Sequence, residues 1–576
     1  MRKFNDRSLL IAAALMFAAG GAAGATARHG APGHLAIHPG PAVVRDFALT
    51  ALSHLRGPAQ RPFLTLLKSL LPPTPQVGVT ISTKATKNIQ CSGGVCTPTA
   101  ATAVLNVTQL TNMLVDESVT IGTSAQAPDI FVTSPFSWTS ANGLTLQAVG
   151  NIVVNKAVSD SGPAPLTLTY NANGAGGALS FGAKGRISFL STGNPLTING
   201  QSYILANNIQ TLAQLIARNP SGRFALSASY NAKHDGTYAQ SPIPIPFQGN
   251  FEGLGNNISN LHVESSGGSG LTGGLFQQTG GSAVVANLHL NHLQLLSEGD
   301  AKVGGFAGQN DGAIVGVTVD NTSTVSASFS VDGECYAGGL VGLNTGGIGF
   351  SHSLANVQID YESANFCAIG GLVGYTKGDI DHSFAGQGSV SVSGPGSQYN
   401  VGGLIGVAGT DVFLTPHITW SFATGAVTVT NMTPGSAAGF VGENLGQFCC
   451  GSAYIANSSA SGPVSTVGDA GGFVTIDTAV IEASVATGAV SSSNCAHCGG
   501  FAAEIIGGGV YTTSITDSQS FGSISGPGLA GGFVGVDVTP QDIFNSGWCT
   551  TSSGFTDIHH GAGSPADDPG ITPFTC

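Results

Sequence analysis

The sequence predicts an all-β protein, a right-handed parallel β-solenoid, on three observations. A signature, Gly-Gly-(Leu/Phe)-(Val/Ala)-Gly, returns about every 32 residues through the C-terminal half. Between its copies lie polar stretches and apolar-x-x-Ser-x-Ala-x-Gly-x-Val runs, without helical periodicity. Composition agrees: Val, Ile, Thr, Ser and Gly dominate, charged residues make up only 9%, and the 85 glycines keep no every-third spacing, which excludes collagen. Units of this length bury their apolar faces against their neighbours, so 576 residues build a quasi-one-dimensional stack in place of one globular core.

The elements follow in chain order. Residues 1–27 read as a signal peptide, with Arg2, Lys3 and Arg7 before the apolar run Leu9–Ala19 and small residues at Ala25-Thr26-Ala27. Residues 28–76 are a Pro-, His- and Arg-rich linker, in which Pro58 and Pro62 interrupt a weakly amphipathic stretch. Residues 77–246 show short alternating runs such as Leu144-Thr145-Leu146, Leu166-Thr167-Leu168 and Ile187-Ser188-Phe189, expected to stack as β-coils, with one short helix near Leu212–Arg218. Residues 247–548 carry the repeats, and 549–576 form a C-terminal cap.

Within the repeats the second signature glycine falls at Gly274, Gly305, Gly339, Gly371, Gly403, Gly439, Gly472, Gly500 and Gly532. Apolar-x-x-Ser anchors align as Ile348…Ser351, Ile380…Ser383, Ile418…Ser421, Ile455…Ser458 and Ile515…Ser518. If each repeat is one coil, these residues stack into columns at the strand spacing of about 4.8 Å. Thr475 and Ala503 replace the final signature glycine, so their coils are expected to turn differently.

Charge is segregated. Residues 1–234 hold 16 Lys/Arg against 6 Asp/Glu, whereas residues 235–576 hold only Lys302 and Lys377 against 25 acids. A polyanion is repelled by such a surface, which argues against nucleic acid as a partner. No later segment is apolar enough to span a membrane as a helix.

The signature resembles the GLUG motif: Gly339-Leu340-Val341-Gly342, Gly371-Leu372-Val373-Gly374 and Gly403-Leu404-Ile405-Gly406 match it directly, and Phe440-Val441-Gly442 and Phe533-Val534-Gly535 are Phe variants. Phe251-Glu252-Gly253-Leu254-Gly255-Asn256 is similar to the opening segment of GLUG proteins. Residues 89–240 look like the β-helical region of filamentous-haemagglutinin-type bacterial surface proteins. The resemblance implies an exported surface or secreted protein, adhesin-like, with outer-membrane association and with glycans, host-surface or matrix components as partners.

Ten cysteines in an exported chain read as disulfides. Cys335 and Cys367 hold the same repeat position, so stacked coils bring them within disulfide reach. Cys91 and Cys96 close a short loop, Cys495 and Cys498 flank His497, Cys549 and Cys576 pair to close the cap, and Cys449-Cys450 are vicinal. No metal or cofactor is expected. Cys495-Ala-His-Cys498 lacks a second ligand pair of suitable geometry, and His289-Leu-Asn-His292 has no acids in register.

Catalysis is not expected either. The repeats contain no Gly-x-Ser-x-Gly elbow, no His-Glu-x-x-His and no arginine, and the best acidic group is Asp379, Asp381 and Asp360 with Lys377. The binding candidates are His352, His382, Trp420 and Asn457, read as one column before the Ser-x-Ala segment that contacts a glycan by stacking and hydrogen bonding. The leading reading is a non-catalytic adhesin-like solenoid; the alternatives are a polysaccharide-active β-helix enzyme and a structural spacer.

Overall fold

Each repeat closes one coil from five short strands. In the coil that begins at Gly347 they are Gly347–Gly349, His352–Ser353, Asn356–Tyr361, Phe366–Gly370 and Val373–Thr376. Each strand pairs in parallel with its counterpart one coil on: Ile348 with Ile380, Ser353 with Ala385, Val357 with Val390, Gly370 with Gly402 and Val373 with Ile405. Repetition builds five sheets along a parallel β-solenoid. This computed structural model describes residues 77–576 apart from position 175 and the segments 267–271, 300, 330–333, 362–365, 395–398, 410–413, 431–435, 448–450, 508–512, 539–541, 556–559 and 565–568. The signal peptide and linker, and Cys449 and Cys450, lie outside the described residues.

The glycine signature and the Ser-x-Ala run meet across the core. The Gly-Gly corner joins the fourth strand to the fifth and faces the second strand. A Cβ added at Gly371 would collide with the carbonyl of Gly403 and lie 2.9 Å from Ala385 Cβ; at Gly403 and Gly439 the facing Cβ atoms are those of Ala423 and Ala460, at 3.2 and 3.1 Å. The core is thin there, so from Gly339 to Gly500 each signature glycine faces Ala or Ser, whereas Val319 faces Gly305 and Trp548 faces Gly532. The apolar residue after the glycines points inward, and Phe440, Phe473, Phe501 and Phe533 stack with ring centroids 4.5, 4.8 and 4.9 Å apart. Thr475 and Ala503 do not alter their coils. Val441 pairs with Val474, and Val474 with Ala502, in the usual register.

The serines of the anchor form a buried hydrogen-bond column. Ser383 Oγ accepts the amide of Ser351, Ser421 Oγ that of Ser383, and Ser458 Oγ that of Ser421, at 3.2 to 3.3 Å. Each hydroxyl donates in turn to the carbonyl two residues earlier, as Ser421 does to Thr419 at 2.9 Å. The sharp bend before each serine would otherwise leave a buried amide without an acceptor. On the fifth sheet a second buried column runs through Thr279, Asn310, Asn344 and Thr376, each linked to the next at 2.6 to 2.9 Å. It resumes as Asn444 donating to Asp477 at 2.7 Å. Burial pushes the Asp477 carboxyl up to about 8, the Asn444 amide opposing this only in part.

Residues 77–205 form a distinct coil of three ladders over their own core, parallel except where Ile89–Ser92 meets Val95–Pro98 and Leu196–Ile198 meets Gln201–Ala206. The helix α1, Val107–Asp116, covers that core with Val107, Leu110 and Leu114, and Asn106 caps it by accepting from the amides of Thr108 and Gln109. The alternating texture of this region concealed α1. The second helix, α2 (Ile209–Arg218), starts three residues before the expected Leu212 and buries Ile209, Leu212 and Ile216 in the larger core. The five-sheet coil begins upstream of Phe247. Arg223–Leu226 already pairs with Asn250–Glu252, and Tyr230–Asn231 with Asn257–Ser259. At the other end Trp548 takes the Ala/Ser position of the second sheet and lies against Gly532 and Gly561, filling the place of a further stacked phenylalanine.

The eight described cysteines lie at disulfide distance in four pairs. Cys335 and Cys367 are register partners bridged at a Cα–Cα distance of 4.6 Å inside the core. Cys91–Cys96, Cys495–Cys498 and Cys549–Cys576 are bridged at 4.0, 6.1 and 5.6 Å. The last ties the closing strand Ile571–Phe574 to the body.

Two outcomes follow. Ser421→Ala leaves the Ser383 amide buried without its acceptor, which costs about 1–3 kcal/mol; native-state hydrogen exchange should show the amides around Ser383 opening faster than those several coils away. Asp477 titrates higher folded than unfolded, so the stability it contributes is complete below about pH 4 and is lost as pH rises through about 8. Chemical denaturation between pH 4 and 9 should show a slope that Asp477→Asn flattens.

Candidate ligand-binding face

The corner between the first and second sheets places one residue per coil in the left-handed backbone region. Its occupants are Asn287, Gly316, Phe350, His382, Trp420, Asn457, Ala483, Asp517 and Asn545, with φ between 46° and 63°. Gly, Asn and Asp adopt this conformation at little cost, whereas a bulky residue is strained there by about 1–2 kcal/mol. Three consecutive coils nevertheless carry Phe350, His382 and Trp420. Their rings stack, with centroids 4.9 Å apart between Phe350 and His382 and 6.1 Å between His382 and Trp420.

A second aromatic column stands beside the first, on the outer face of the second sheet. His352 stacks on Phe384 at 4.4 Å and Phe384 on Phe422 at 4.6 Å, with rings within 12° of parallel. With Leu354 the two phenylalanines make a small apolar cluster separate from the main core. The anticipated column of His352, His382, Trp420 and Asn457 is therefore corrected in register. Phe350, directly before the serine, is the partner of His382; His352 follows the serine and pairs with Phe384. Asn457 follows Trp420 in the corner column and ends its aromatic run. Phe350, Phe384 and Phe422 escaped sequence reading, although the Ile-x-x-Ser anchors themselves supply the alignment that finds them.

Polar groups surround the aromatic corner on the first sheet. Asp381 Oδ2 lies 2.7 Å from His382 Nδ1, and its Oδ1 accepts from Thr419 Oγ1 at 2.6 Å. Asp379 accepts the amide of His417 at 2.9 Å. His417 meets the Tyr454 ring edge-on at 5.7 Å, and Tyr454 donates to Glu482 at 2.6 Å. Asp360 is not part of this group. It lies on the outer face of the third sheet, paired with Ser328 and Ser393, while Lys377 sits 5.8 Å from the centroid of the Tyr375 ring.

The remaining sequence candidates are dispersed. His289 turns its Nδ1 to Thr318 Oγ1 at 2.7 Å, and burial lowers its pKa; His292 occupies a left-handed corner. His497, between the bridged Cys495 and Cys498, faces Asp469 at 3.4 Å and Glu504 at 3.8 Å. Glu443, on the outer face of the fifth sheet, accepts from Asn400 at 2.7 Å, and burial raises its pKa.

Comparisons with known proteins bear on architecture more than on chemistry. No protein-family model matches the chain, and no solved structure matches it. A stretch of 103 residues, 18% of this chain, is 31% identical to part of halomucin from Haloquadratum walsbyi and spans 1% of that protein's length. The GLUG resemblance accordingly rests on the signature residues, and the haemagglutinin-type one on the pattern of residues 89–240.

The strain argument gives a direct expectation. Trp420→Asn exchanges a strained corner residue for one that tolerates the conformation, while losing ring stacking of about 0.5–1.5 kcal/mol. The two effects are of similar size, so thermal unfolding should place the variant within about 1 kcal/mol of the parent. A loss far beyond that would show Trp420 to be a structural residue.

Proposed function

We propose that this protein is an exported, non-catalytic surface protein of adhesin type, and that the aromatic corner of coils bearing Phe350, His382 and Trp420 binds carbohydrate on a host, matrix or neighbouring surface. The observation that carries the reading is the placement of bulky rings where the backbone favours Gly or Asn, in three successive coils. Strain carried by bulky rings at one corner in three successive coils is a mark of a site that function maintains. Aromatic side chains that combine apolar area with polar edges suit sugar rings.

Location outside the cytoplasm is supported by the four disulfides, by the amino-terminal signal reading, and by the partial likeness to halomucin. No helix among the described residues is long and apolar enough to cross a membrane. The acids nearest the aromatic corner support binding over catalysis: both oxygens of Asp381 hold neighbouring side chains, and Asp379 holds the His417 amide. Their engagement fixes the corner's geometry.

The test is retention of the purified chain on a panel of immobilised polysaccharides and matrix proteins, with released sugar assayed in the same wells. Binding without product is expected, weakened at least tenfold by Trp420→Asn and little changed by added salt. Release of reducing sugar would overturn the non-catalytic reading, and equal retention of the Trp420→Asn protein would overturn the assignment of the site.

A further inference from the structure

Two glycines next to the aromatic corner are not explained by the fold. Gly347 and Gly349 are the outward positions of the first-sheet strand in the coil that carries Phe350. Neither is in the left-handed region. A Cβ built at Gly347 meets nothing within 4 Å, and one at Gly349 meets only the Asp381 carbonyl oxygen, at 4.0 Å. The signature glycines behave oppositely, since a Cβ at Gly371 collides with the next coil's backbone. Register partners of the two glycines in adjoining coils carry side chains: Ala313 pairs with Gly347, and Val315 and Asp381 with Gly349. A glycine within a strand lacks both packing and β propensity, and it is tolerated where another surface must approach the backbone closely.

We infer that Gly347 and Gly349 form a shelf on which one ring of an uncharged polysaccharide lies flat against the strand, in contact with Phe350 at one end and with the carboxylates of Asp379 and Asp381 along its lower edge. This deepens the carbohydrate-binding reading and rests on it. The two outward positions are about 7 Å apart along the strand, close to the breadth of a single sugar ring. Ionised carboxylates only accept hydrogen bonds, and each has room for about four. Asp381 has one partner on each oxygen, from His382 and Thr419, so lone pairs remain for ligand hydroxyls. An acceptor-only edge selects a donor-rich ligand. Sulfated and uronic-acid chains are repelled, because the region from residue 235 onward holds 25 acids against Lys302 and Lys377. The ligand class is thus a neutral hexopyranose polymer.

The experiment uses Gly347→Val and Gly349→Val in the full chain, with Gly349→Ala as a smaller change should either valine variant fold poorly. Valine is a stronger strand former than glycine, and each side chain enters open space, so the melting temperature should hold or rise. Titration with a neutral glucan, mannan, galactan and chitin-oligosaccharide panel, with heparin and alginate as anionic controls, reads the outcome. Expected is a loss of at least tenfold in affinity for the retained neutral polymer with Gly347→Val or Gly349→Val, a smaller loss with Gly349→Ala, and no retention of the anionic polymers by any form. Parent-like affinity in the glycine variants, with Trp420→Asn impaired, would overturn the shelf and leave the aromatic corner standing. Parent-like affinity in all variants would overturn both, and preferential capture of heparin or alginate would overturn the ligand class.

Discussion

The whole stack depends on how closely the two sides of each coil approach at the Gly-Gly corner. There the fourth and fifth strands turn inward until their connecting backbone rests against the second strand, with Gly371 opposite Ala385 and Gly403 opposite Ala423. That spacing fixes the depth to which the next Leu or Phe reaches, and so allows Phe440, Phe473, Phe501 and Phe533 to stack nearly parallel. It also forces the bend whose buried amide is accepted by the next coil's serine. Packing, bend and hydrogen bonding are therefore one constraint repeated, which is why the signature glycine and the Ser-x-Ala run recur together.

A repetitive stack must also be ended. Helix α1 covers the core of the amino-terminal section, and α2 covers the larger core. Trp548 fills the last coil, and the Cys549–Cys576 bridge secures the final strand with Pro573 in it, a residue that cannot donate to a further pairing strand. Between its ends the solenoid is regular enough that departures stand out. The corner column of Gly, Asn, Ala and Asp carries bulky rings at Phe350, His382 and Trp420, and the adjacent strand lacks outward side chains at Gly347 and Gly349. Both departures fall within neighbouring coils, on the same half-buried edge, and each costs the fold something that most of its neighbours avoid.

The repeated glycine signature led to the correct architecture because it states a packing requirement. It carries little chemistry, since the same glycines serve a coil with Trp420 at its corner and one with Ala483 there. Carboxylate grouping illustrates the difference. Asp360, Asp379 and Asp381 are near one another in sequence, yet the first lies on a different face, because it belongs to the third strand of its coil and the others lie at the first strand of the next.

The sequence by itself determined the coil: the period, the stacked isoleucines and serines, the bridge between Cys335 and Cys367, and the scarcity of helix, because each arises from a pattern that every repeat restates. It missed α1, whose ten residues occur once and interrupt an alternating texture. It also set His352 in the corner column, although the isoleucine-to-serine spacing already places Phe350 there. Tertiary structure decided which rings touch, which acids share a face and which glycines are open. Those depend on the direction in which each corner turns and on what the adjoining coil presents, and a one-dimensional pattern records neither.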